Sequence, residues 1–269
     1  MRPAFVCSLM LPLVQVLGAG SLGGGDLGAG SLGAGSLGAS GGSADCSTGT
    51  PLIDYDVREF TPQTDDTPLN TTIPNQGTGG SGWDLTTYLS GGADYRTSAN
   101  CAGVSTDCFE YEFGAKQYMS STASATWTVT IQCFVVKDPE PSSNTFSFPL
   151  GWTDASTSEY LRHDDSIGWR VAHGGALEVF TTVKGQWAAI CWDSTTPATT
   201  TTSVNGSAGT TIDIASGYAD PDQIIFGSSS TGAGVYGNDA LIGRYVAYNT
   251  DPGQSIDALS ACLKTQFGF

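Results

Sequence analysis

Thr126–Val136 reads TWTVTIQCFVV, and its pattern decides the fold class. Thr126, Thr128, Thr130 and Gln132 fall on one side of an extended chain. Trp127, Val129, Ile131, Cys133 and Val135 fall on the other. Alternation with a period of two marks a half-buried strand, so the Cys133 side is expected to face the core. Phe109–Phe113 (FEYEF) alternates in the same way, with aromatics inward and Glu110 and Glu112 outward. Trp187–Trp192 (WAAICW) is apolar on both sides, as a central strand would be.

Working outward, further strands are expected at Gly168–Ala172, Leu177–Thr182, Thr200–Val204, Thr211–Ile214, Gln223–Phe226 and Leu241–Tyr248. Turn residues punctuate them, among them His173-Gly174-Gly175, Asn205-Gly206 and Tyr236-Gly237-Asn238. Only Ser255–Thr265 has helical spacing. Many short strands and one short C-terminal helix predict an all-β antiparallel sandwich or barrel.

Composition narrows the function. The 269 residues carry 10 Lys plus Arg against 26 Asp plus Glu, a formal net charge of −16. Such a chain offers no basic surface for nucleic acid and none for an anionic membrane leaflet. Residues 1–19 (MRPAFVCSLMLPLVQVLGA) have a basic start, an apolar stretch broken by Pro12 and Gln15, and small residues after it. That is a secretory signal peptide pattern, and the stretch is shorter than the roughly 20 residues needed to span a bilayer. Residues 20–50 form a Gly/Ser/Leu-rich linker in which GSLGA recurs, leaving 51–269 for the folded domain. Isolated Leu residues among Gly cannot build a core, so the linker is expected to be a flexible tether.

Seven cysteines are present, and Cys7 lies in the leader. The remaining six, Cys46, Cys101, Cys108, Cys133, Cys191 and Cys262, make an even set in a chain read as secreted, which implies disulfides. Spacing alone leaves their pairing open.

Several segments occur in the order of a known family. Phe109–Tyr118 (FEYEFGAKQY) resembles an opening strand of laminin-G-like jelly rolls, and Trp127–Val136 resembles the Thr-rich strand that follows. Gln186–Ser194 (QWAAICWDS) is similar to their Trp–Asp strand, and Ser203-Val204-Asn205-Gly206 to the strand and turn after it. Ile224–Gly227 (IIFG) and Leu241–Tyr248 (LIGRYVAY) resemble the last two strands, Ile73–Tyr88 the Gly-rich entry, and Ile256–Phe269 the terminal helix and tail. The ordered set resembles the concanavalin-A-like lectin/glucanase superfamily, with cysteine positions similar to pentraxins. The resemblance implies an antiparallel jelly-roll β-sandwich and a Cys133–Cys191 bridge. Cys101–Cys108 would then close a short loop, and Cys46–Cys262 would join the two ends, which lie together in jelly rolls. Where pentraxins place acidic calcium ligands, this chain has Ser228-Ser229-Ser230.

Few residues have the pattern of a chemical site. Arg162-His163-Asp164-Asp165 is the densest polar cluster, expected in a loop flanked by Trp152 and Trp169. There Asp164 and Asp165 would ligate calcium, and Trp152, His163 and Trp169 would contact a sugar. Asp220 and Asp222 are a second calcium candidate. Glu110-Tyr111-Glu112 is the nearest approach to the Glu-x-Asp-x-Glu strand of β-glucan hydrolases and lacks the third carboxylate. No catalytic residue is assigned. Asn70-Thr71-Thr72 and Asn205-Gly206-Ser207 are glycosylation sequons.

The sequence therefore predicts a secreted or extracellular-surface carbohydrate-binding or adhesion module. Its expected partner is a glycan or surface polysaccharide, with no nucleic acid and no membrane insertion. One alternative is a self-associating coat, wall or filament subunit. The other is a glycan hydrolase or lyase of the same superfamily.

Overall fold

The computed structural model describes residues 46, 49–69, 72–87, 91–112, 117–121, 130–138, 146–151, 160–164, 168–173, 176–180, 185–213, 223–228 and 239–269. Among them, two antiparallel sheets stack as a β-sandwich, and one helix lies on the outside of the larger sheet. The strands in chain order are β1 (Ile53–Asp56), β2 (Thr67–Pro68), β3 (Leu85–Thr87), β4 (Asp94–Arg96), β5 (Cys108–Tyr111) and β6 (Met119–Ser121). They continue as β7 (Ile131–Lys137), β8 (Phe146–Gly151), β9 (Tyr160–Asp164), β10 (Gly168–His173), β11 (Ala176–Phe180) and β12 (Ala188–Asp193). β13 (Thr200–Val204), β14 (Ser207–Ile212), β15 (Ile225–Phe226) and β16 (Ala240–Tyr248) complete them, before α1 (Ile256–Phe267).

The larger sheet runs β14-β13-β12-β7-β16-β5-β4-β2. β1 also pairs with β16, beside its second half, while β5 takes the first half. The smaller sheet runs β11-β10-β9-β8-β15-β6-β3. The strand read from Thr126–Val136 is β7, with residues 126–129 outside the described set. It sits between β12 and β16, as a strand rich in branched and aromatic residues should.

The faces of β7 are the reverse of the expectation. Phe134 packs against Phe226 of the smaller sheet at 5.5 Å between ring centres, so Gln132, Phe134 and Val136 face the core. Cys133 and Val135 face outward. Gln132 is fully buried, and its Oε1 accepts a 2.6 Å hydrogen bond from the Tyr245 hydroxyl. That bond offsets the cost of placing an amide in the interior. A polar residue with a buried partner looks the same in sequence as a polar residue facing water.

Phe226 is the centre of the core. Tyr55, Phe134, Tyr245 and Tyr111 of the larger sheet surround its ring at 5.4, 5.5, 5.8 and 6.2 Å. Most of these contacts are edge-on, the geometry aromatic quadrupoles favour. The Tyr55 hydroxyl donates to the carbonyl of Trp83, which ties the Gly-rich segment before β3 to the core. In that segment a Cβ on Gly77 would collide with the Leu52 carbonyl, so only glycine permits the close approach.

Part of the outer face of the larger sheet is buried too. α1 covers β12, β13 and part of β7. Ile256, Leu259, Ser260, Leu263 and Phe267 form its buried stripe. Ser255 caps its start by accepting from the Ala258 N–H, and Gly268 ends it in the left-handed conformation. The helix runs two residues beyond the expected Thr265. β16 carries a bulge at Gly243, where a Cβ would lie 2.5 Å from the Phe267 ring. Three disulfides, Cys46–Cys262, Cys101–Cys108 and Cys133–Cys191, have the pairing the resemblance implied. The first holds Cys46 against α1, and the Gly49 N–H donates to the Pro252 carbonyl, so the folded body includes residues before 51.

Candidate functional site

The sequence pointed to Arg162–Asp165 as a loop. The structure makes Tyr160–Asp164 a strand, β9, between β8 and β10. His163 is 1% exposed and meets Trp169, its partner on β10, edge-on at 5.0 Å. Its Nδ1 lies 3.5 Å from a carboxylate oxygen of Asp138, itself buried at the end of β7. Trp169 is equally buried, so neither side chain is open to a sugar. The run of charged letters hid the strand, in which Leu161 and His163 are buried. The backbone of Asp164 ends β9. Trp152, Asp165, Asp220, Asp222 and Asn70 lie outside the described residues. Among the described residues, no group of three or more His, Cys, Asp or Glu side chains is arranged to hold a metal ion.

Asn205 serves the fold. It occupies the β13–β14 turn with φ of 54°, followed by Gly206 at 87°, the Asn-Gly turn that suits a tight hairpin. Its Oδ1 accepts from the Ala189 N–H at 2.8 Å, and its own N–H donates to the Ala189 carbonyl. Ser260 of α1 continues this join. Its hydroxyl accepts from the Gly206 N–H at 2.8 Å and lies 2.9 Å from the Ser203 hydroxyl.

Two carboxylate clusters were not read from sequence. In the first, Asp54 and Asp56 of β1 lie beside Arg244 of β16 on the outer face. Arg244 donates from Nε and Nη2 to the two oxygens of Asp54, at 2.9 and 2.6 Å, and its Nε lies 3.3 Å from Asp56. Arg58 closes the other side of Asp56, with Nε donating at 2.9 Å, and stands 5.0 Å from the Phe267 ring centre. Burial outweighs Arg244 and pushes the Asp54 carboxyl up to about 6, with Asp56 and Glu59 adding to the rise. The Arg244 cation is held charged by those carboxylates. This cluster joins β1 to the sheet and is closed to ligands.

The second cluster forms a part-buried polar rim at the β2–β4–β5 edge of the same face, with Asp94 buried and Glu112 and Asp66 exposed. Register places Asp94 opposite Glu110 and Arg96 opposite Cys108. Arg96 ion-pairs with Glu110 and, through Nη1 at 3.0 Å, with Asp66. Asp65 accepts from the Thr97 N–H at 2.9 Å, and hydrogen bonds, first from Asn100 and then from Thr97, hold its carboxyl below the usual range. Gln117 donates to Asp94 and accepts from the Glu112 N–H, each at 2.9 Å. Glu112 is exposed, as its alternation with Phe109 and Tyr111 foretold. Its carboxyl is raised, by burial first and then by the charges of Glu110, Asp94 and Asp239. This rim offers several carboxylate and amide oxygens as acceptors, the complement of a surface rich in hydroxyl donors.

Fold and rim together define an antiparallel β-sandwich with a polar edge. No protein-family model matches the sequence, and no curated protein matches it. Among solved structures the chain is similar to the binding domain of botulinum neurotoxin serotype D, with TM-score 0.52 and 10% identity over 81% of this chain and 51% of that one. It is similar also to the binding domain of Paraclostridial Mosquitocidal Protein 1, with TM-score 0.54 and 10% identity over 80% of this chain and 52% of that one. A third is the serotype D ligand binding domain in complex with N-acetylneuraminic acid, with TM-score 0.53 and 10% identity over 81% and 51%. This chain spans about half the length of those domains. At such identity the likeness is one of fold. No helix among the described residues is long and apolar enough to cross a membrane.

Proposed function

We propose that the chain is a secreted carbohydrate-binding or adhesion module of the concanavalin-A-like, laminin-G/pentraxin kind, carried behind a signal peptide (1–19) and a tether that begins at residue 20 and ends before the disulfide-bonded Cys46. The observation that carries the reading is the likeness of its sandwich to a domain solved with N-acetylneuraminic acid bound. Fold likeness is a weak warrant for function, so the chemistry must supply the rest. Extracellular placement agrees with three disulfides in one folded body.

The glycan in this reading is neutral. An acidic sugar needs a cation to meet its carboxylate, and at the rim Arg96 is already paired with Glu110 and Asp66. The net charge of −16 repels an anionic polymer at longer range. Glu112 and Gln117 of the rim take sugar hydroxyls, and Trp152 and Asp165 are the contact candidates from the sequence. The calcium candidates are Asp164 with Asp165 and, separately, Asp220 with Asp222.

A glycan array in calcium and in EDTA tests the reading. Neutral glycans are expected to bind, sialylated ones not, and Glu112→Gln and Trp152→Ala are each expected to weaken binding at least tenfold. Binding lost in EDTA and regained with calcium supports the metal. An array empty under both conditions overturns the function.

A further inference from the structure

Asn205-Gly206 is the single Asn-Gly pair in the sequence, and the fold demands both residues. Asn205 has a φ of 54° and Gly206 one of 87°, left-handed values that Asn and Gly tolerate best. The Asn205 Oδ1 accepts from the Ala189 N–H at 2.8 Å, which fastens the turn to β12. Gly206 also lies directly against α1. A Cβ there would come within 2.8 Å of the Ala261 Cβ and 3.4 Å of the Ala261 Cα, so any larger residue would push the helix away.

The pair that the fold requires is also chemically labile. Glycine has no side chain to hinder its backbone nitrogen, which can reach the carboxamide carbon of the asparagine before it. The nitrogen bonds to Cγ, the Cγ–Nδ2 bond breaks, and ammonia leaves carrying the amide proton. Water then opens the cyclic imide at either carbonyl, giving aspartate or isoaspartate. Water is the only other reactant. In the folded chain both reacting groups are held. The Gly206 N–H donates to the Ser260 hydroxyl of α1 at 2.8 Å, so the nitrogen keeps its proton and faces the helix. Ser260 is fully buried, and its hydroxyl is itself fixed, 2.9 Å from the Ser203 hydroxyl and 3.2 Å from the Asp257 carbonyl. The bond to Ala189 turns the carboxamide toward β12.

We propose that Asn205-Gly206 is a concealed deamidation site that α1 shields, and that it reacts when the helix lifts. The buried stripe of α1 and the Cys46–Cys262 bridge, next to Ala261, hold the helix down. Reaction makes the opening permanent. Isoaspartate lengthens the main chain of the turn, which carries Gly206 out of its seat under Ala261 and away from Ser260. Aspartate adds a further negative charge to a chain already at −16. Brief local opening thus becomes irreversible loss, and the frequency of helix opening sets the lifetime of the folded body.

Peptide mapping by mass spectrometry, after incubating the full chain in mildly alkaline buffer with and without denaturant, tests this. Ser260→Ala removes the acceptor of the Gly206 N–H, and Cys46→Ser with Cys262→Ser removes the bridge. Conversion at Asn205 is expected to be at least tenfold slower in the native chain than in denaturant, and several-fold faster in each variant than in the native chain. Near-UV circular dichroism shows whether the sheets persist, and if the double variant unfolds, Ser260→Ala decides alone. Native conversion as fast as in denaturant overturns the proposal. So does conversion in folded Ser260→Ala no faster than in the unaltered chain. Amides of α1 in isolated deamidated protein are expected to exchange hydrogen faster than before, and equal exchange overturns the permanent opening.

Discussion

The two sheets are held by different means. All three disulfides involve the larger sheet or the helix on its outer face. Cys133–Cys191 joins β7 to β12, Cys101–Cys108 anchors β5, and Cys46–Cys262 fastens α1. None touches a strand of the smaller sheet. The larger sheet also holds the Asp54–Arg244–Asp56 cluster and the Ser203–Ser260 join. The smaller sheet is attached through packing around Phe226 and through contacts such as the Tyr55 hydroxyl donating to the carbonyl of Trp83, just before β3. Cross-links lower the entropy of the unfolded chain, whereas packing acts only while the two layers touch. The larger sheet is therefore expected to outlast the smaller one under partial denaturation.

The largest expected effect comes from unfastening the helix. Cys46 and Cys262 are 216 residues apart, so replacing both with Ser removes about 5 kcal/mol in the chain-entropy model. Thermal melting should show the loss, and hydrogen exchange should find it first in α1 and β13. Next, Phe226→Ala opens a cavity at the junction of the layers and is expected to cost about 3–5 kcal/mol. A loss under about 1 kcal/mol in denaturant titration would break the claim that packing around Phe226 is the main attachment of the smaller sheet.

A pH series sharpens the comparison from the other side. The folded Asp54 carboxyl, at about 6, lies above its ordinary 3.8, so the folded state holds that proton more tightly than the unfolded chain. Stability from this group is therefore full below about pH 4 and falls as pH rises through about 6. The fall is at most about 3 kcal/mol, from roughly 1.4 kcal/mol per pH unit. Asp54→Asn should flatten that stretch of the stability curve, and Arg244→Met should carry the Asp54 titration still higher by NMR. The smallest effect is expected at the hairpin. Asn205→Ala loses the bond to the Ala189 N–H and strains a left-handed residue, for about 1–2 kcal/mol, read from the melting temperature.

Sequence reading found β7, β12, β13 and β16 but missed β8 and β9, which are at least as long as β13, along with the shortest strands. β13 was expected at Thr200–Val204, its observed span, and β16 begins one residue before the expected Leu241. Both are bounded by turn residues. β14 was placed at Thr211–Ile214 and instead starts at Ser207, because the Asn205-Gly206 turn sends the chain straight back along β13. β1 (IDYD) gave no signal. Two aspartates in four residues read as a loop until Arg244, far along the chain, arrives to neutralise them. The rim was half legible. Glu110 and Glu112 were read as facing outward, but Arg96, Asp94 and Gln117 reach them through strand register and a loop return.

The sequence by itself determined the all-β class, the terminal helix, strands such as β7, β12, β13 and β16, and the even set of cysteines. Each follows from a pattern among near neighbours: period-two alternation, turn residues, helical spacing. Tertiary structure alone decided which face of β7 is the core, that β9 is a buried strand, and that Trp169 and His163 are interior. It also brought Arg244 to Asp54. The physical reason is common to all of these. Whether a polar group faces water or a buried partner depends on residues distant in sequence, and burial with a partner leaves no local pattern.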